Sequence, residues 1–265
     1  MFADALHVLG FSAAAECPVA DIVDWNCTAC AGQGQPLTDI NVTTADGHLA
    51  YVGWDHEKSR IQVVLRGSTS ISDWIKNLDY FKTPAYGSLG CDGCEVHRGF
   101  LESYQALQPG VEASVDQLLK SHPGAPIAIV GHSMGAAMAA HAAVGFGLVR
   151  GDIVDGPVYT FGQPRVGDAA FAKWFHGKFP KWLRSVHWND PVPHLPPSKS
   201  PLPDGGRFHH FGRELWWDSD GESQAMVCDD SGEDPNCSQS ISAALVFTDH
   251  WYYLGKKVVQ CTPFK

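Results

Sequence analysis

Five residues, Gly131-His132-Ser133-Met134-Gly135, constrain this chain more than any other feature. They sit between a short, fully apolar run, Ile127-Ala128-Ile129-Val130, and an alanine-rich stretch from about Met134 to Phe146. Such a run reads as a strand covered on both faces of its sheet. A sharp turn from that strand straight into a helix is the setting in which G-x-S-x-G becomes a nucleophile elbow. The turn forces Ser133 into a crowded, strained conformation and lifts its hydroxyl to the positive N-terminal end of the helix. Gly135, Ala136 and Ala139 are small enough for that helix to pack closely on the sheet. Outside this setting the same pentapeptide is only a glycine turn that happens to hold a serine.

Around this centre, strands and helices alternate. Residues 3–15 are helix-like, His48–Trp54 alternates as a strand does, and Ile61–Leu65 is a near-continuous β-branched run. The polar Asp55-His56-Glu57-Lys58 between those two strands reads as a hairpin turn. Phe100–Leu119 has helical spacing, and Val158–Phe161 and Leu183–Trp188 read as short strands. Pro191–Gly206 reads as loop, and the region from His250 to Lys257 as a closing helix. The alternation predicts a layered α/β sheet. No linker-like shift in composition divides the 265 residues, so a single domain over 1–265 is expected.

An apolar content of 44% and an aromatic content of 11% can fill a substantial core. They exclude a disordered chain, a coiled coil and a collagen-like repeat. With 19 basic and 29 acidic residues the formal charge is −10, against the basic footprint that nucleic-acid binding needs. The longest nearly apolar stretch, Met134 to Val149, is interrupted by His141 and falls short of the ~20 residues of a membrane span. Met1-Phe2-Ala3-Asp4 opens no basic segment followed by a leucine-rich run, so no signal peptide is expected there, and a mature secreted form is compatible with the start.

The cysteines point the same way. Eight of them, an even count in loop-like surroundings, admit about 105 pairings. Cys27/Cys30 and Cys91/Cys94 are both C-x-x-C, but about sixty residues part them, where a compact zinc site has ~15–20. Neither pair opens a helix after a strand, as a thioredoxin-like redox site would. Structural disulfides in an oxidising compartment are the expectation. The N-x-S/T triplets at Asn26, Asn41 and Asn236 fit that address.

A serine hydroxyl is a poor nucleophile at neutral pH and needs a histidine base, itself oriented by a carboxylate. On elbows of this type the chain order is serine, acid, histidine. Asp190 follows the Leu183–Trp188 strand and opens the rigid Pro191-Val192-Pro193 turn, although an aspartate before proline is also a common turn-former. Asp204 and Asp218 rank lower because no strand is read immediately before them. The order leaves His194, His209, His210 and His250 as bases. His194 lies four residues from Asp190, too near to reach around it, and His209 and His210 lie in an aromatic segment that suits structural histidines. Order alone selects His250.

Further short motifs lie along the chain: Arg66-Gly67-Ser68, Cys91-Asp92-Gly93-Cys94, Phe161-Gly162-Gln163-Pro164-Arg165-Val166-Gly167, and Asn189-Asp190-Pro191-Val192-Pro193-His194-Leu195-Pro196-Pro197. With the elbow, they make a chain that resembles the filamentous-fungal triacylglycerol lipases of the class 3 family, of the Rhizomucor and Thermomyces type. Fungal feruloyl esterases are close relatives. The similarity runs from Ser12-Ala13-Ala14-Ala15-Glu16-Cys17 to Cys261. It implies an α/β-hydrolase fold, with a central mostly parallel sheet, flanking helices and a short helical lid. It implies Ser133, Asp190 and His250 as the triad, and Ser68 with the backbone N–H of Met134 as the oxyanion hole. It also implies disulfides Cys17–Cys261, Cys27–Cys30 and Cys91–Cys94, which leaves Cys228 with Cys237. No metal or organic cofactor is implied. The stretch from Asp218 to Ser240 looks longer than in typical members.

The segment after Ser68 separates the two kinds of relative. Ile71, Trp74, Ile75 and Leu78 fall at i, i+3, i+4 and i+7 and make one apolar stripe. Eight residues span about 12 Å, too few for a stable isolated helix in water. Most such stripes are ordinary core. The resemblance places the lipase lid here, over about residues 70–79, where feruloyl esterases are more polar. The expectation is a secreted, monomeric serine esterase that acts on acylglycerol esters at an oil–water interface and is activated through that lid. A feruloyl-type or other soluble-ester carboxylesterase is the alternative. A non-catalytic secreted surface-binding protein with a relic site is the alternative of another class.

Overall fold

Strands that look continuously apolar in the sequence are buried on both faces in the structure. The computed structural model describes residues 2–32, 36–71, 73, 75, 78–154, 158–199, 207–217, 225–241, 246–259 and 261. Chain order gives strands β1 (Thr38–Ala45), β2 (His48–Asp55), β3 (Arg60–Leu65), β4 (Lys82–Pro84), β5 (Glu95–His97) and β6 (Ile127–His132). After them come β7 (Val158–Phe161), β8 (Trp182–His187), β9 (Arg213–Trp217), β10 (Met226–Val227), β11 (Tyr252–Tyr253) and β12 (Lys256–Lys257). Eight of these form one sheet in the order β1-β2-β3-β6-β7-β8-β9-β10. Its centre, β3 through β9, is parallel, and both ends are antiparallel.

Two hydrophobic cores lie on opposite faces of this sheet. Ile61, Val63 and Leu65 of β3 and Ile127 and Ile129 of β6 face one core, while Val64 and Val130 face the other. The first core is covered by helices of the mid-chain: α3 (Arg98–Ser121), α4 (Met134–Val144) and α5 (Ala169–Lys178). The second lies under α1 (Phe2–Ala14), with Ile22 of the short α2 (Val19–Val23) and the C-terminal Tyr253, Leu254 and Val258. Two-sided burial removes the polar alternation that marks a half-exposed strand. The four disulfides are Cys17–Cys261, Cys27–Cys30, Cys91–Cys94 and Cys228–Cys237. The first joins residues 244 apart in sequence and so ties the final segment to the end of α1.

Three elements differ from the sequence expectation. Thr38–Ala45 is an edge strand that no sequence pattern marked; only Asp39 and Thr44 are exposed, the rest is half-buried, and Asp39 at φ 53° breaks the pairing register. Arg213–Trp217 is a strand although it starts with two charged residues, because Glu214 is buried and held by Arg184. The expected closing helix is a 3-10 turn over Phe247–Trp251 followed by the β11–β12 hairpin. Leu254 and Gly255 at φ 53° and 70° form its turn, and a helix cannot pass through two consecutive left-handed residues.

Candidate active site

The elbow is built where three strand ends and one helix converge. Ser133 caps α4 with φ 58° and ψ −131°, a conformation that costs a non-glycine residue about 1–3 kcal/mol. The residues two positions before and after it must be glycines. A Cβ on Gly135 would lie 2.1 Å from the carbonyl oxygen of Leu65, and one on Gly131 would lie 2.3 Å from that of Gly135. The helix start is therefore pressed against the end of β3. Gly135→Ala should destabilise the fold by at least ~2 kcal/mol in denaturant unfolding. A loss below ~0.5 kcal/mol would mean that the contact between α4 and β3 is looser than described.

Asp190 comes from the turn after β8. It is fully buried, its N–H donates to His187 O at 2.9 Å, and Oδ1 accepts the Val192 N–H at 2.8 Å. Oδ2 accepts the Nδ1–H of His250 at 2.8 Å and the hydroxyl of Tyr253. Burial alone would raise this carboxyl, but the facing His250 and the bonds from His250, Tyr253 and Val192 outweigh it and hold it below the usual carboxylate range. It is an anion at neutral pH.

His250 is equally buried and is tied at its backbone. Its carbonyl accepts the Nε2–H of His132 at 2.8 Å, the ring of which lies 4.4 Å from that of His250. Burial, and then the neighbouring His250, push His132 down to about 3, so it stays neutral and keeps that donor. On the other side of His250, Asp249 accepts the Asn189 N–H at 3.2 Å and the His187 Nδ1–H at 2.9 Å. The His250 backbone is thus held to β6 on one side and to the Asp190 turn on the other.

Ser133 and His250 both border the end of β7. The Ser133 N–H donates to Phe161 O at 2.9 Å, and a Cβ on the next residue, Gly162, would lie 2.6 Å from the His250 ring. Among the described residues, neither Ser133 Oγ nor His250 Nε2 has a hydrogen-bond partner. The Arg66-Gly67-Ser68 turn reaches the same point, since a Cβ on Gly67 would lie 3.1 Å from Ser133 Cβ. Half-buried Ser68 donates its hydroxyl to Ser70 O at 3.3 Å.

A buried carboxylate–imidazole pair beside a strained elbow serine narrows the chemistry, and comparison with known proteins gives the kinship. Residues 62–200 match the family model described as lipase (class 3). The chain belongs to the class 3 lipase family. It is 33% identical to a lipase of Rhizomucor miehei over 90% of this chain and 64% of that protein. It is 34% identical to a secreted mono- and diacylglycerol lipase of Fusarium solani over 67% of this chain and 50% of that one. The chain thus spans less than two thirds of the length of either relative. Among solved structures, it superposes with a TM-score of 0.82 on a triacylglycerol lipase whose catalytic centre is formed by a serine protease triad. That match has 29% identity and covers 97% of this chain and 96% of the other. The fold is that of the α/β-hydrolases.

For this class 3 lipase chain, Asp190 and His250 are in direct contact. The ground on which Asp218 ranked below Asp190 does not hold, because β9 ends immediately before it. Asp218 and Asp204 themselves lie outside the described residues. His210 is structural, donating Nε2–H to Pro193 O at 2.7 Å. In the segment after Ser68, Ile71, Asp73 and Ile75 are helical, Ile71 and Ile75 are half-buried, and Leu78 packs against the first core. Trp74 lies outside the described residues.

Sequence reasoning missed Tyr253 and His132. Both flank chosen residues, but a tyrosine or histidine carries no signal of its partner until the turns are placed. It also missed Glu16, which is buried against Arg66 and the Gly67 N–H. Burial raises this carboxyl to about 7, with Arg66 and the Gly67 N–H pulling the other way. Between pH 4.5 and about 7 the unfolded chain gives up this proton while the folded chain keeps it, so this group lowers stability as pH rises through that window. Glu16→Gln should therefore leave the unfolding free energy nearly unchanged at pH 4.5 and raise it by up to about 3 kcal/mol at pH 8. Equal effects at both pH values would contradict a raised Glu16.

Proposed function

We propose that the chain is a secreted, monomeric carboxylic ester hydrolase, one domain over residues 1–265, that cleaves acylglycerol esters at an oil–water interface. Ser133 is its nucleophile, His250 its base and Asp190 the orienting acid. The observation that carries this reading is the buried Asp190–His250 pair: among the described residues His250 Nε2 and Ser133 Oγ are both left without a hydrogen-bond partner, and both residues border the end of β7.

The reaction is acyl transfer in two halves. His250 Nε2 takes the Ser133 proton as Oγ attacks the ester carbonyl, and Asp190 holds the resulting imidazolium. The oxygen that becomes negative is received by the backbone N–H groups of Ser68 and Met134 and by the Ser68 hydroxyl, which leaves Ser70 O for the purpose. Each such donor is worth roughly 3–4 kcal/mol of barrier. The alcohol leaves with the proton from His250, water enters through the same base, and the fatty acid departs. The steps use only these side chains and N–H groups.

An interfacial substrate is supported by apolar surface around the site. Val246 and Phe247, about 42% and 41% exposed, lead directly into the turn that carries His250. The Ile71–Leu78 stripe starts three residues after Ser68 and serves as the lid over residues 70–79. Trp74→Ser should cut activity on emulsified triacylglycerol at least roughly tenfold and change turnover of dissolved short esters little, since only the former needs an apolar anchor. Equal loss on both substrates would contradict the lid.

The assignment of the nucleophile is tested with an alkyl phosphonate ester followed by peptide mass mapping. Labelling of Ser133 in the unsubstituted chain, and none in Ser133→Ala, is the expected result. Absence of label, or label elsewhere, would favour the non-catalytic reading.

A further inference from the structure

One carboxylate outside the triad orients two side chains that hold the loop after Asp190. Glu233 belongs to the stretch of unassigned role in the sequence, within the loop closed by Cys228–Cys237. Its Oε1 accepts the Arg165 Nε–H at 2.7 Å and the His210 N–H at 2.9 Å, and its Oε2 accepts an Nη2–H of Arg165 at 2.8 Å. Arg165, only 2% exposed at its side chain, sends its remaining arm to His194 O at 2.7 Å and Pro196 O at 2.9 Å. His210 sends Nε2–H to Pro193 O at 2.7 Å. Three carbonyls of the Pro193–Pro196 run are thus held by two side chains, and both of those residues are oriented by the same carboxylate.

The loop that carries Glu233 is itself built to stay put. Arg184, fully buried, donates to Gly232 O at 2.9 Å and to Glu214 Oε2 at 3.3 Å, and Glu214 Oε1 accepts the Ser238 N–H at 3.0 Å. Burial would raise the Glu233 carboxyl, but the Arg165 fork outweighs it and keeps the group ionised. A bidentate guanidinium–carboxylate pair of this kind fixes orientation as well as distance.

We propose that Glu233 is a positioning residue for the catalytic acid: through Arg165 and His210 it sets the Pro193–Pro196 run, and through it the Asp190 carboxylate under His250. This rests on the triad reading given above. Displacement of a catalytic group by about 1 Å can cost a hundredfold in rate. The Cys228–Cys237 loop then serves as a brace behind the acid rather than as decoration of the surface.

The test compares Glu233→Gln with Arg213→Gln. Arg213 forks onto Asp230 of the same loop at 2.8 Å and 2.8 Å, with both side chains exposed. On a dissolved short-chain ester, below each melting temperature, Glu233→Gln should lower kcat roughly 10–100-fold with KM within about twofold, and Arg213→Gln should leave kcat within about twofold. The far-downfield proton of the His250–Asp190 hydrogen bond should move or vanish in Glu233→Gln and persist in Arg213→Gln. If Glu233→Gln does not fold, Glu233→Asp, which keeps the charge but cannot reach both partners, should show the same kcat loss and the same proton shift. A folded Glu233 variant with unchanged kcat and unchanged proton overturns the proposal, as do equal losses in the Glu233 and Arg213 variants. Ser133→Ala, measured alongside, separates the two levels: if it retains the turnover of the unsubstituted chain, the triad reading has failed rather than the brace.

Discussion

Ser133→Ala lowers kcat on a soluble ester by roughly 10^6-fold and leaves the fold as stable as before. Both halves of this expectation follow from the geometry. In the proposed mechanism the Ser133 Oγ is the atom that receives the acyl group. Among the described residues Ser133 Oγ makes no hydrogen bond, so its removal leaves no partner unsatisfied. Alanine carries the same Cβ into the same φ of 58°, so the backbone strain is unchanged. The change in unfolding free energy should therefore stay within about 0.5 kcal/mol. A kcat loss accompanied by a large drop in melting temperature would mean that the serine is structural.

Asp190→Asn is expected to lower kcat by about 10^4-fold, and here stability falls too. The carboxylate accepts from His250 Nδ1, from the Tyr253 hydroxyl and from the Val192 N–H while fully buried. An amide of the same size must turn an N–H₂ group toward one of those donors. If it faces His250, the ring takes the tautomer with the proton on Nε2 and can no longer accept from Ser133. If it faces Val192, a buried N–H loses its acceptor at a cost of about 1–3 kcal/mol. Kinetics on a soluble ester and denaturant unfolding of the same preparation read both effects. Retained turnover would move the role of acid to another residue, with Asp218 after β9 the first to examine.

The centre of the molecule was legible and its rims were not. Ile127–Val130, the elbow and the alanine-rich helix announce themselves because two-sided burial and close packing admit few residue types. Asp190 and His250 followed from chain order, a rule about topology, and they meet in the structure. By contrast, β1 carries threonines and an asparagine on an exposed edge, and β9 starts with an arginine and a glutamate. Neither pattern reads as a strand, because the first is only half-buried and the second is satisfied by partners far along the chain. The closing helix failed for a local reason: Leu254-Gly255 is a hairpin turn.

Positioning residues were the least legible class. Tyr253, His132 and Glu233 act through hydrogen bonds to residues 63, 118 and 68 or fewer positions away in sequence. Their residue types are compatible with many surroundings. What identifies them is the convergence of donors on one acceptor, and only the folded chain displays it.

The central claim, that the substrate is an acylglycerol met at an interface, is tested most directly by the rate of tributyrin hydrolysis as its concentration is carried through the solubility limit. The account predicts a low rate on the dissolved ester and a sharp rise once droplets form. A rate that saturates below the limit, with no rise beyond it, would contradict the claim and make the chain an esterase of dissolved esters.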